Sequence, residues 1–465
     1  MAMTEIALLG FFALLLLLGL KRPFLWVLAY IYVDVLAPQK IGWMIAPNIP
    51  MSLIAFAAAF IGWLVLDGKE GTRFTFRQAL LLALLAYCAW TTMGSAFPED
   101  AQAKWAWVWK SLVFAIFLPL TLRTRLRIEA AALFMILSAG AIIISGGIKT
   151  VVGGGGYATL ALFVSDNSGL YEGSTLSMVA IALIPLIIWI AKNGTIFPRS
   201  KWTLMFAAAL VFACLLIPIG THTRTGLICI AALGVLMVRS VKNRFLYMGA
   251  AGLALALALP FLPASYTERM STIENAQSDE SASTRLAVWK WTLEYAKDHP
   301  LGGGFDAYRA NSFTYQKRVM VGDGNNRSIQ TVEITDKARA YHSAYFEMLG
   351  EQGWPGLGLW LWLQALGLWQ MERVRRILRK SKDAGDKAWH SLATALQQGQ
   401  VIYLVGALFV GIAFQPFIYM LIALQIALAT LVSRREKARS EDERRARLAQ
   451  KREMAAGRPL AEAPA

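Results

Sequence analysis

The chain has 465 residues, 56% of them hydrophobic and 16% charged, with a formal net charge of +16. So little polar surface cannot cover a water-soluble globule of this size, and the apolar runs are directed to a membrane instead. The positive balance does not point to nucleic acid, because no helix-turn-helix, zinc or RNA-binding signature accompanies it, and a membrane protein gathers Lys and Arg on one side for topological reasons.

Apolar runs predict about thirteen membrane spans, at 6–20, 24–36, 50–66, 78–93, 107–122, 130–148, 174–191, 202–220, 226–238, 245–262, 354–369, 401–415 and 417–431. The first and the tenth approach or reach the length that crosses about 30 Å of hydrocarbon, the second and ninth are short, and the last two could form a broken hairpin. The first is read as retained, since Lys21 and Arg22 follow it where a signal peptide would carry its charges in front. The expected class is an all-α, polytopic integral membrane protein of about 12–13 transmembrane helices.

Basic clusters alternate between connections. They fall at Lys21 and Arg22, at 69–77, 123–127, 192–201, 239–244 and 373–387, and in the tail from Arg434. Positive charge is retained in the cytoplasm, so these connections are cytoplasmic and the other side holds the N-terminus and one large periplasmic loop. The resulting parts are N-terminal helices (1–170), central helices with a turn at Arg224 (171–262), the loop (263–341), C-terminal helices (342–433) and a charged tail (434–465). Anionic membrane lipid is the expected partner of the tail. Near the outer boundary, Trp105, Trp107 and Trp109 read as an interfacial aromatic belt, a place where glycan could also stack.

Within the loop, Ser283 or Thr284 caps a helix whose Leu286, Trp289, Leu293 and Ala296 recur at helical spacing, and Pro300 with Gly302 to Gly304 ends it. The residues from there to His342 read as a largely irregular stretch, of the length that is commonly functional. Cys88, Cys214 and Cys229 all lie in apolar runs without a CxxC pair, so neither a disulfide framework nor a metal site is indicated, and no cofactor is expected.

Of the four histidines, only His222, in the turn "THTRTG", and His342, where the loop re-enters the membrane, fall outside and near the bilayer surface. His342 begins the string His342, Ser343, nine residues, Gly353, two residues, Gly356. Here the chain resembles the O-antigen ligase and polymerase superfamily of bacterial membrane glycosyltransferases. The turn opening a helix at Arg224 is similar to another of its elements, and so is the run of Arg285, Trp289, Pro300 and Gly302. The N-terminal half resembles O-glycosylation ligases associated with exosortase systems.

That resemblance implies a metal-independent, inverting transfer from undecaprenyl-diphosphate-linked glycan to a hydroxyl of a lipid, protein or polysaccharide acceptor, at the periplasmic face of the inner membrane. Histidine is neutral near pH 7 and suits removal of the hydroxyl proton, which gives His342 the base role. A guanidinium forks onto phosphate oxygens, which gives Arg224 and Arg285 the diphosphate, with His222, Ser343, Trp289, Gly353 and Gly356 in support. A repeat-unit polymerase shares this scaffold, and the His342 to Gly356 spacing favours the ligase. A flippase is disfavoured because the notable polar groups collect at the outer face and do not line a path across.

Overall fold

The computed structural model describes residues 2–153, 169–238, 280–321 and 328–455. The expected span at 245–262, the first part of the large loop and the end of the tail lie outside these residues.

The described helices are α1 (Ala2–Gly19), α2 (Phe24–Leu36), α3 (Pro38–Ile41), α4 (Met51–Val65), α5 (Phe76–Met93), α6 (Pro98–Thr121) and α7 (Arg125–Gly153). They continue as α8 (Gly173–Asn193), α9 (Lys201–Gly220), α10 (Arg224–Val238), α11 (Glu280–Asp298), α12 (Ala344–Leu378), α13 (Ala384–Gly406) and α14 (Pro416–Ala455). Among the described residues six helices are long and apolar enough to cross a membrane, and four shorter apolar helices accompany them. This is the all-α, polytopic membrane architecture expected from hydropathy.

Burial explains why the sequence lacks clean amphipathic stripes. Helix α8 is apolar all round and its residues from Leu176 to Leu186 are nearly inaccessible, as befits a helix surrounded by others. Helix α9 is its opposite. Trp202, Phe206 and Phe212 point outward there with more than half their surface exposed, a surface that lipid covers without cost and water would not.

A polar lock sits inside this apolar interior. Arg77 is fully buried and donates to Gln370 Oε1 (3.1 Å) and Gln425 Oε1 (2.9 Å). Gln425 donates to Gln400 (2.9 Å), and Gln400 to Gln364 (2.7 Å), so α5, α12, α13 and α14 are joined by side-chain hydrogen bonds where water cannot compete.

Two elements differ from expectation. Hydropathy places a span at 401–415, whereas the helix is Ala384–Gly406 and residues 407–415 are irregular. The polar residues that hide this helix from a hydropathy scan point inward: Gln397 donates to the Leu368 carbonyl (3.2 Å) and Gln400 joins the lock. The stretch expected to be irregular contains an antiparallel hairpin, β1 (Ser312–Val321) with β2 (Ser328–Lys337), in register from Ser312↔Lys337 to Val321↔Ser328. The two segments hold eight β-branched residues, Thr314, Val319, Val321, Ile329, Thr331, Val332, Ile334 and Thr335, a residue type that favours strands.

Helix α11 ends at Asp298, ahead of Pro300 as expected, but its buried face is Val288, Thr292 and Ala296. Of the expected stripe Ala296 is buried and Trp289 part-buried, whereas Leu286 and Leu293 are 63% and 43% exposed, so the stripe is split between the two sides of the helix.

Candidate active site

A cavity of about 710 Å³ opens beside the large loop, of a size suited to a sizeable ligand. Its wall comes from segments far apart in sequence: Asp100, Lys104 and Trp107 of α6, Glu172 to Thr175 at the start of α8, and Arg285 of α11. Asp306, Tyr308 and Arg309 of the loop add to it, as do Tyr341 and His342 with Glu347 and Glu351 of α12, and the irregular residues 409–415. The irregular backbone after Gly406 lines this cavity, where its polar groups need not all be paired with protein.

His342 is held at φ +50°, a left-handed conformation uncommon for a residue with a side chain and characteristic of functional sites. Its neighbours fix it there. Trp289 Nε1 donates to the Tyr341 carbonyl (2.9 Å) while its ring stacks on Phe346 at 4.9 Å. The Ala344 amide donates to the Ala407 carbonyl (2.8 Å). Asn311 and Arg339 exchange two hydrogen bonds (2.7 and 2.9 Å) at the base of the hairpin, tethering the strand that leads into His342. Ser343 is buried and precedes α12 without a side-chain capping bond, its Oγ 3.5 Å from the Ala407 carbonyl.

The imidazole keeps an exposed face toward the cavity and has protein on its other sides. That partial burial, then the charge of Arg285, holds its pKa below the ordinary histidine value. Arg339 acts in the same sense and Glu172 opposes them. Glu172 is itself oriented as the N-cap of α8, accepting from the Ser174 and Thr175 amides at 3.0 and 2.5 Å.

Gly353 and the Pro300-to-Gly304 turn form one joint. Helix α12 is broken at Gly353 (φ +63°, ψ −168°), so a short helix from Ala344 precedes its longer part. Into the break fits the turn after α11. Trp354 N–H donates to the Pro300 carbonyl (3.0 Å), Gly303 N–H to Gly350 (3.0 Å) and Gly304 N–H to Glu351 (2.9 Å). A Cβ on Gly353 would lie 2.3 Å from the Pro300 oxygen, and one on Gly302 would lie 2.5 Å from the Glu351 oxygen. Gly353→Ala is therefore expected to cost at least about 2 kcal/mol through strain and separation of the two segments. Thermal unfolding in detergent should register this as a lowered midpoint; an unshifted midpoint would mean that the joint opens freely. Gly356 lies within the following turn, where a Cβ would meet the Gln352 side chain at 2.3 Å.

Of the residues singled out in the sequence, His342 and Arg285 share the cavity and Trp289 supports it from behind. Arg224 and His222 are not in this wall. Arg224 is half-buried as the first residue of α10, and His222 is buried with φ +51° in the turn before it. Their turn is tied to α8 by a hydroxyl cluster, Ser177 to Thr221 (2.8 Å) and Thr223 to Ser177 (2.8 Å), one helical turn beyond Ser174. Trp107, expected in an aromatic belt, lines the cavity, and Trp105 stacks on Phe305 at 6.4 Å.

Sequence reasoning missed Lys104, Glu172, Asp306, Glu347 and Glu351. The available signal was the i, i+4 spacing of Glu347 and Glu351 just after His342, which puts both carboxylates on one helix face.

Fold and cavity together define a multi-pass membrane protein with a polar chamber at one end, walled by both halves of the chain. A family profile described as O-Antigen ligase matches residues 208–361, the segment that contains Arg224, Arg285, His342, Gly353 and Gly356. Through that segment the chain is similar to the O-antigen ligase superfamily. Residues 3–195 match a family of unknown function (DUF5935). No curated protein matches the chain.

Proposed function

We propose that this protein transfers a glycan from polyprenyl (undecaprenyl) diphosphate to an acceptor hydroxyl at the periplasmic face of the bacterial inner membrane, as an exosortase-associated O-glycosylation ligase. The observation that carries the reading is the meeting of His342 and Arg285 on one cavity wall within the O-antigen ligase segment. The acceptor oxygen attacks C1 of the first sugar as His342 takes its proton, and the C1–oxygen bond to the diphosphate breaks with inversion. The glycosidic bond formed replaces the phosphoester bond lost, and the proton leaves His342 for the departing diphosphate or water. Arg285 carries the growing charge of the leaving group, with Arg224, at the start of α10 beside the turn tied to α8, as a second cation. No metal or cofactor takes part.

A base must be neutral to accept a proton. Because the pKa of His342 lies below the ordinary value of about 6.5, kcat/KM should be flat near pH 7 and fall only on the acid side below that value. Arg285→Met removes a charge that disfavours the imidazolium, so the acid limb should move to higher pH; Glu172→Gln should move it lower. A limb that ignores both substitutions would remove His342 from the role of base.

The transfer itself is tested with purified protein in detergent, a polyprenyl-diphosphate glycan, and three acceptors: core lipid, a protein rich in Ser and Thr, and polysaccharide. Product on any of the three, undiminished by EDTA, is the expected result. Extension of the donor's own glycan instead identifies a repeat-unit polymerase, and no transfer to any acceptor sinks the proposal.

A further inference from the structure

The cavity has a charge problem if its ligand is a diphosphate. Its wall carries three cations, Lys104, Arg285 and Arg309, against five carboxylates. Arg309 is already paired with Asp100 at 2.9 Å. Acidic walls repel an anionic ligand, and the low dielectric around a membrane site strengthens the repulsion.

The most deeply buried of these carboxylates meet at Lys104. Its Nζ donates to Glu347 Oε1 (2.7 Å) and to both oxygens of Glu351 (2.8 and 2.9 Å), and it stands 3.9 Å from Asp306. Glu351 is fully buried and Glu347 nearly so. The remaining bonds to these two carboxylates are backbone amides, Asp306 N–H to Glu351 (3.0 Å) and Ala413 N–H to Glu347 (2.9 Å). Lys104 is thus the one side-chain cation on both carboxylates among the described residues. It belongs to the segment matching a family of unknown function, whereas both carboxylates belong to the O-antigen ligase segment.

We propose that the N-terminal segment is a working half of the active chamber, and that Lys104 determines donor affinity by offsetting one of the two negative charges of Glu347 and Glu351, so that the cavity can accept a diphosphate. The inference rests on the diphosphate reading of the preceding section. It assigns Lys104 no contact with the reacting atoms. Its effect is on the field in which Arg285 and the donor meet. A bundle strut would matter for folding alone, whereas a counter-charge must appear in donor binding and must be replaceable by removing a carboxylate.

The experiment measures binding of undecaprenyl diphosphate to the full-length protein in detergent, alongside the donor KM and kcat. Lys104→Met should weaken binding and raise KM by about tenfold or more, with kcat changed by less than about threefold. Lys104→Arg, which keeps the charge, and the double variant Lys104→Met/Glu351→Gln, which restores the net charge of the cluster, should both return toward wild type. Glu351→Gln alone should bind the diphosphate more tightly, which provides a reading even where Lys104→Met is not recovered folded.

Wild-type affinity in Lys104→Met overturns the proposal. So does a double variant as weak as the single, or a Glu351→Gln that gains nothing. Wild-type protein that neither binds undecaprenyl diphosphate nor transfers from it overturns the diphosphate reading along with this inference; wild-type activity with an indifferent Lys104 overturns the inference alone.

Discussion

Replacing His342 should reduce kcat by about 10²- to 10⁴-fold, the usual worth of a positioned general base. The choice of substitution matters because the residue occupies left-handed backbone. His342→Ala removes the imidazole and also places an alanine where it is strained, so lost activity could reflect a displaced α12. Asparagine tolerates this conformation and has no basic nitrogen at neutral pH. His342→Asn should therefore keep the thermal midpoint of the wild type while losing turnover to the same extent as His342→Ala. Turnover within about threefold of wild type in a folded His342→Asn protein would reassign the residue to a structural role, with the left-handed turn as its reason for being there.

Arg285→Ala is the second large effect. A guanidinium aimed at developing phosphate charge in a site shielded from water supplies about 3 to 4 kcal/mol to the barrier, or about 10²- to 10³-fold in kcat/KM. Arg285 lines the same cavity as His342 and is the largest charge effect on its titration, so loss of the arginine acts on both partners of the reaction. Lysine at this position restores the charge without the two-pronged geometry. Arg285→Lys should recover part of the loss and keep the acid limb where the wild type has it. An Arg285→Lys protein as poor as Arg285→Ala would mean that geometry decides, and equal activity in all three proteins would exclude Arg285 from the reaction.

The bundle and the His342 end of the site were legible in the sequence because each rests on a local pattern. Apolar length reports a lipid-crossing helix directly, and the spacing from His342 to Gly356 together with the Pro300 and Gly302 turn is contiguous in the chain. The opposing wall was not legible. Lys104 appears as one charge at a membrane boundary, and Glu172 as one acid ahead of a span; only packing brings them against residues some 170 to 240 positions later. Hydropathy failed at α13 for a related reason, since Gln397 and Gln400 look solvated until their partners on α12 and α14 are seen. The hairpin was hidden by its length and polarity, although its β-branched residues were in view.

The joint between the Pro300 turn and Gly353 also constrains how the molecule is made. Ribosomes deliver the turn before the helix that receives it, and Lys104 long before Glu347 and Glu351. Until α12 has been made, the turn after α11 has no docking seat and Lys104 has no carboxylate to meet. Residues 409–415 complete the wall only after α13 has followed, so a nascent or truncated chain that has not reached them lacks the finished cavity.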